Sequence, residues 1–323
     1  MSTLDLPQTG SSFRIPVVWT ELHRRHVPGG ELWVGVRTEG SEVPERAERI
    51  RQALTSAGRH LVPAAAHPDA ALEAVHDPEL LEYLRRAWDG WREAGLDRHP
   101  GQDRVVPYLF AHPGMLPSDQ GDVPIPAAAS ARAGRFAYDT MTLIGPGTWE
   151  AARAAADAAL TAADLVLDGA AAAYACCRPP GHHATRTAFG GSCYLNNAAV
   201  AAAALRDAGR VPVAVIDVDA HHGNGTQSIF YADPAVLTGS AHVDPGAGWF
   251  PHFLGFVTES GDGEGIGTNR NVPLDPGTGD GPWLEAVMGL AGWAAGQGAR
   301  SLVVALGADA AEGDQESPPT APP

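Results

Sequence analysis

Four short apolar runs, Ala172 to Ala175, Val211 to Ile216, Ala235 to Thr238 and Leu302 to Leu306, lead into RPPGHHA, DVDAHHGNG, SAHVDP and GADAAEGD. Helical patterns separate them, notably Asn196 to Ala208 and Trp283 to Gly296. Apolar runs of this length read as buried strands. Strands alternating with helices imply right-handed crossovers and a mostly parallel sheet covered on both faces. Ligands of such sheets sit beyond the carboxyl ends of the strands. The pattern therefore predicts an α/β fold that gathers four polar, metal-competent segments along one edge.

The rest of the chain fits around that frame. Val43 to Ala57 and Asp69 to Trp88 read as helices, and residues 98–128, rich in Pro, Gly and Asp, as a long loop or insertion. The alanine-rich stretch Trp149 to Ala173 is interrupted by Arg153, Asp157, Asp164 and Asp168 at helical spacings, so it reads as a packed amphipathic helix and not as a membrane span. The 22 Lys and Arg against 38 Asp and Glu give a net charge of −16, which argues against nucleic acid or an anionic membrane as partner and leaves cationic substrates open. The N-terminus MSTLDLPQTG has no signal-peptide pattern, and Cys176, Cys177 and Cys193 make a poor disulfide framework, so a reduced cytoplasmic protein is expected.

The strand-end residues suggest chemistry. In extended backbone Asp217, Asp219 and His221 share one face, and Asp309 from another strand end completes a mixed oxygen and nitrogen set. Three protein ligands with an open position is the arrangement of catalytic zinc. The adjacent His182 and His183 suit acid–base work if their neighbours make them unequal, and Asp217 and Asn224 are the natural orienting groups. GGSCYLNNA offers glycines for close backbone approach and asparagines that can cap the next helix, and its Cys193 reads as a buried structural thiol more readily than as a nucleophile. No G-x-S-x-G motif, dinucleotide fingerprint or P-loop occurs, and the glycine-rich ESGDGEGIG from Glu259 to Gly267 neither follows a convincing strand nor opens a helix.

RPPGHHA, GGSCYLNNAAVAA, VIDVDAHHGNGTQSIFY, SAHVDP…FPHFLG, NRNVPLDPGTGD and LGADAAEGD, in that order, resemble the zinc-dependent histone deacetylase family, above all its bacterial branch, which includes acetylpolyamine amidohydrolases. EVPERAERI and AVHDPELLEYL resemble early segments of the same family, so the likeness spans roughly residues 30–314. It implies a three-layer arginase/deacetylase-like fold, with 1–29 as an N-terminal segment, 30–314 as the catalytic domain and 315–323 as a Pro-rich tail. It also implies one zinc per chain on Asp219, His221 and Asp309, with His182 and His183 as tandem catalytic histidines paired to Asp217 and Asn224. Gly191 matches a backbone contact to substrate and Phe250 an aromatic wall of an acyl-lysine tunnel, while Ser192 stands where the opposite wall is usually aromatic. A potassium ion near Asp217 and Ser240, and a homodimer across which an insertion of this kind shapes a narrow channel, are further implications; Asp103, Asp119 and Asp122 of the long loop are compatible with a cationic polyamine.

The family adds a tyrosine, sometimes a histidine, that donates to the oxyanion from a segment downstream of the GADA motif. Here the last tyrosine is Tyr231 and the last histidine His252, and the family pattern stops near Gln315. The expectation is a chain lacking the final strand and helices of the fold and working poorly, since one oxyanion donor is typically worth about 10²–10³ in rate. Three readings are open: a zinc amidohydrolase for acetylpolyamines or acetyl-lysine, an inactive zinc- or acyl-amine-binding remnant, and a two-manganese ureohydrolase-like enzyme. The last is the weakest, because Gly223 stands where a second D-x-H-x-D carboxylate would be.

Overall fold

The computed structural model describes residues 15–115 and 123–314. The first 14 residues, Asp119 and Asp122 of the long loop, and the 315–323 tail lie outside the described residues. In chain order the strands are β1 (Val17–Trp19), β2 (Glu31–Trp33), β3 (Val36–Thr38), β4 (Leu61–Pro63), β5 (Tyr174–Ala175), β6 (Val213–Asp217), β7 (Val236–Val243), β8 (Asn269–Leu274) and β9 (Ser301–Ala305). The helices are α1 (Pro44–Ser56), α2 (Ala70–Glu73), α3 (Pro78–Glu93), α4 (Ala129–Phe136), α5 (Thr148–Leu167), α6 (Asn197–Asp207), α7 (Asn224–Phe230) and α8 (Asp280–Gly296).

The expected parallel architecture is present, divided into a three-stranded sheet in the order β4-β1-β5 and a four-stranded sheet in the order β8-β7-β6-β9. β2 and β3 form a separate antiparallel hairpin. All five residues of β6 are buried, as suits a strand with a neighbour on either side and helices on its faces. Its last residue, Asp217, lies in register with Ser240 of β7 and Ala305 of β9, which aligns three strand ends. β9 pairs only with β6 among the described residues, and its Leu302 and Val304 are about half exposed (54% and 50%).

Several boundaries differ from the sequence expectation. Residues 69–88 hold two helices because Pro78 cannot continue α2 and instead opens α3, whose first turn is capped by the Asp77 carboxylate accepting from Glu79 N at 2.8 Å. The alanine-rich helix stops at Leu167, six residues short of Ala173, where Gly169 takes a φ of +106°. β8 escapes periodicity because its two inward positions are the buried asparagines Asn269 and Asn271. β1 and β4 are three residues each and too short for a pattern.

Alanines let α5 and α6 pack closely, with Ala152, Ala156, Ala199, Ala202 and Ala203 buried in one core with Leu195, Val213 and Val215. Below the histidine loop, buried His76 bridges two segments: Nδ1 donates to Thr185 O at 2.9 Å and Nε2 accepts from Asn196 N at 2.9 Å. Only the neutral ring can do both, and burial lowers its pKa to about 4. The unfolded chain therefore binds this proton below pH about 6.5 while the folded one refuses it down to about 4, so stability falls as pH drops through that window, by about 3 kcal/mol at most from this group. His76→Gln can keep one donor and one acceptor without titrating. We expect it to flatten the fall in Tm between pH 6.5 and 4, which calorimetry would measure.

Candidate active site

The site is built from the segments beyond the carboxyl ends of β5, β6, β7 and β9. After β5 the chain reaches His182 and His183, whose loop is held from beneath by Asn196. That side chain donates to Ala184 O at 3.0 Å and to Thr226 Oγ1 at 3.1 Å while its oxygen caps α6 by accepting from Ala199 N. Asn197 donates to Pro179 O at 3.1 Å. Of the two asparagines expected as helix caps only Asn196 caps α6, and both fix the histidine loop.

After β6 the geometry departs from expectation. The strand ends at Asp217, so Asp219 and His221 do not continue an extended face. Asp217 Oδ1 instead accepts from Asp219 N at 3.1 Å, and Asp219 Oδ1 from His221 N at 2.8 Å, two successive turns that fold the segment back on itself. From beyond β9, Asp309 Oδ1 accepts from Ala220 N at 3.0 Å, and Oδ2 accepts from His221 Nδ1 at 2.8 Å. One ligand atom each of Asp219, His221 and Asp309 lies within 4.8 Å of the others. Two carboxylates and an imidazole converging on one point fit a divalent cation. Backbone crowds the cluster closely: a Cβ on Gly307 would lie 1.9 Å from Asp219 Oδ2.

The tandem histidines have different partners. His182 Nδ1 donates to Asp217 Oδ2 at 2.9 Å, and His183 Nδ1 donates to Asn224 Oδ1 at 2.6 Å, with the two rings 3.9 Å apart. Burial opposes a charge on His182, but Asp217, Asp219 and Asp309 outweigh it and raise its pKa to about 9. Burial, together with His182 and His221, pushes His183 well below its ordinary value. His221 is raised to about 10 despite burial, because the Asp219 and Asp309 carboxylates both face its Nδ1. Two imidazoles in contact, each oriented through Nδ1 and shifted in opposite directions, are the kind of unequal pair that acid–base chemistry uses.

Phe250 stands edge-on to His183 with ring centres 4.9 Å apart and stacks on Tyr138 at 6.4 Å. Gly191 and Ser192 form the facing turn with φ of +57° and +61°, and a Cβ on Gly191 would meet the His183 ring at 2.3 Å. Ser240 is buried, its Oγ 2.8 Å from His242 Nδ1, and together with Asp217, His222 and Asn271 it lines a cavity of about 10 Å³. Cys193 is buried and its thiol is pushed well above the ordinary range by burial, as suits a structural thiol.

Three residues escape a reading of the sequence alone. Tyr138 donates to His183 O at 2.9 Å, and Asp139 accepts from Gly191 N at 2.5 Å and from Thr142 N at 2.9 Å, so this dipeptide fastens both the histidine and the facing turn. Trp249 stacks on His221 at 5.7 Å. No spacing rule links Tyr138 to His183, 45 positions away; the adjacent aromatic and the one-off carboxylate carry no periodic signal.

A histone deacetylase domain matches residues 41–319. The chain belongs to the histone deacetylase family. It is 40% identical over 299 residues to the acetylpolyamine amidohydrolase of Mycoplana ramosa, covering 92% of this chain and 84% of that one. It is equally 40% identical over 295 residues to acetylpolyamine amidohydrolase 1 of Pseudomonas aeruginosa, covering 90% and 82%. The crystal structure of acetylpolyamine aminohydrolase from Burkholderia pseudomallei superimposes with a TM-score of 0.85 at 36% identity, covering 94% of this chain and 85% of that one. The arginase/deacetylase-like α/β fold expected from the motifs is the fold of this histone deacetylase family member. No helix among the described residues is long and apolar enough to cross a membrane.

Because a methyl at position 307 would occupy the space of the Asp219 carboxylate, we expect Gly307→Ala to lose divalent-metal retention while keeping its circular dichroism spectrum. Metal analysis after gel filtration checks this.

Proposed function

We propose that this chain is a zinc-dependent deacetylase that removes acetyl groups from acetylated amines, with Asp219, His221 and Asp309 holding the ion, His183 moving the proton, and His182, Asp217 and Asn224 charging and orienting the pair. Its 40% identity to acetylpolyamine amidohydrolases over about 90% of the chain supports a hydrolytic deacetylase of acetylated amines. The observation that carries the residue roles is the unequal histidine pair beside a two-carboxylate, one-imidazole cluster.

When bound, zinc polarises the acyl carbonyl and acidifies a water beside it. The protein supplies the rest. His183, kept neutral by burial and its cationic neighbours, presents Nε2 as the base that accepts the water's proton, because Nδ1 is committed to Asn224. The same nitrogen returns the proton to the departing amine. His182, held charged by Asp217, places a fixed positive charge 3.9 Å from that ring and stabilises negative charge developing on the acyl oxygen. Phe250 excludes water along one side of the substrate's aliphatic stem, Gly191 offers backbone opposite it, and Ser192 leaves that side wider and more polar than an aromatic residue would.

A ureohydrolase-like two-metal site is disfavoured by geometry. A Cβ at position 223 would lie 2.3 Å from Asp217 Oδ2, so no second carboxylate fits there. We assign potassium to the strand end at Asp217 and Ser240, where a small cavity has the room one bare monovalent cation or one water needs. Acetylpolyamine is the substrate class the relatives' names favour over acetyl-lysine. A homodimer is the assembly we expect, with the exposed Tyr108, Leu109 and Met115 of the long loop as surface available to it. Free Cys176, Cys177 and Cys193 agree with a cytoplasmic setting.

After chelation and reconstitution we expect about one zinc per chain and acetate release from an N-acetylated diamine. Asp309→Ala should lose both, by at least about 10³ in rate, as for removal of a metal ligand's transition-state stabilisation. One retained zinc without acetate release would mark an inactive binding protein; two manganese ions per chain, or an unchanged rate in Asp309→Ala, would overturn the assignment.

A further inference from the structure

The segment from Phe250 to Glu259 carries the aromatic wall of the proposed site, and beyond the partly buried Phe250 most of its side chains are exposed. It contains no helix or strand, Phe253 is 86% and Val257 72% exposed, and Leu254 and Phe256 are a little over one-third exposed. Its attachment to the sheet is polar: Asn271 Nδ2 donates to Phe256 O at 3.2 Å and Asn269 Nδ2 to Glu259 O at 2.8 Å, and between them and Phe250 the Gly255 peptide is held on both its N–H and its carbonyl. The Gly255 N–H donates to both oxygens of Glu259, at 3.2 and 3.0 Å, and its carbonyl accepts from His242 Nε2 at 2.9 Å. His242 is in turn fixed through Nδ1 by Ser240 Oγ at 2.8 Å, in the strand residue that lies in register with Asp217. Glycine is required at this point, because φ is +108° and a Cβ would lie 2.8 Å from His242 Nε2 and 2.9 Å from His222 Cγ.

The Glu259 carboxylate does more than hold Gly255. Oε2 also accepts from Gln227 Nε2 at 2.6 Å and from Asn271 Nδ2 at 3.0 Å. Gln227 lies on α7, whose first residue, Asn224, orients His183; Asn271 lies on β8. Gln227, Asn271 and His242 are all buried, so these charge-assisted bonds form in a weakly screened environment. One carboxylate thus ties the Phe250 loop to the helix that presents the proposed base's partner and to the sheet beneath both.

We propose that Glu259 is a positioning residue: by holding Gly255, Gln227 and Asn271 together it sets Phe250 against His183 and so fixes the width of the acyl channel. The inference rests on the reading of Phe250 as a channel wall. A carboxylate is needed because every partner is a donor; an amide in its place turns one NH2 group toward other N–H groups.

The test uses the full chain loaded with zinc and compares wild type, Glu259→Gln, Phe250→Ala and the double variant. For Glu259→Gln we expect KM for an N-acetyl amine to rise on the order of tenfold, as for loss of a hydrogen bond to a charged group, with kcat within about threefold. Preference for acetyl over butyryl amides should shrink, Phe250→Ala should show the same relaxation, and the double variant should add nothing to either single one. Independently of turnover, chymotrypsin should cut after Phe253 faster in Glu259→Gln than in wild type, with fragments identified by mass spectrometry. A lower Tm with KM, acyl preference and cleavage after Phe253 all unchanged would overturn the proposal, as would effects that multiply in the double variant. If Phe250→Ala leaves acyl preference unchanged while Glu259→Gln still speeds cleavage, the wall reading fails and the anchor stands. Should Glu259→Gln not fold, Glu259→Asp, which keeps the charge but shortens the reach, is expected to show the same KM and cleavage changes in milder form.

Discussion

Three carboxylates and two imidazoles raised toward the charged form share one small volume at the ends of β5, β6 and β9, and the rest of the structure is arranged so that each is paired. Asp217 neutralises His182, and Asp219 and Asp309 together face His221. Isolated charges so withdrawn from water would each cost several kcal/mol. Their mutual pairing, and backbone N–H groups from Asp219, Ala220 and His221 turned onto the carboxylates, make the cluster tenable. The donor atoms of Asp219, His221 and Asp309 already converge within 4.8 Å of one another, as a divalent cation would require.

That constraint explains where close packing is concentrated. Gly191 lies against the His183 ring, Gly223 against Asp217 and Gly307 against Asp219, positions at which a single methyl would displace a functional side chain. Around this inner set the supports are polar. Asn196 and His76 hold the histidine loop, Tyr138 and Asp139 hold the facing turn, and Glu259 with His242 holds the Phe250 segment. Side chains fixed by several hydrogen bonds each are what keeps a site within the tolerance that proton transfer needs.

Much of this is legible in the sequence because the informative residues sit in local motifs. The HH pair, the D-x-D-x-HH segment and the GAD turn each occupy a few consecutive positions after an apolar run, and the strand-end rule places them on one edge. Helices with strong periodicity or alanine content are readable to within a few residues, with α2 and α3 separated by the turn before Pro78. The hidden parts lack a local signature. β8 buries asparagines where a strand pattern looks for apolar residues, and Tyr138, Asp139 and Trp249 reach the site only through contacts across long loops. The backbone from Asp217 to His221 also defeats the extended reading, since carboxylates that accept from their own chain two residues on favour turns over strands.

The sequence by itself determined the order of the polar segments, the chemical types converging on the site, and membership in a family of hydrolases that work with a metal. These come from short-range pattern and residue chemistry, which the chain carries whatever its fold. Only the tertiary structure decided that burial and the partners of His182 and His183 shift their proton affinities in opposite directions, that position 223 has no room for a second carboxylate, and that the Phe250 segment is held by Glu259, His242 and the β8 asparagines. Those properties depend on burial and on distances between residues far apart in sequence, and both come into being only when the sheets close over the site.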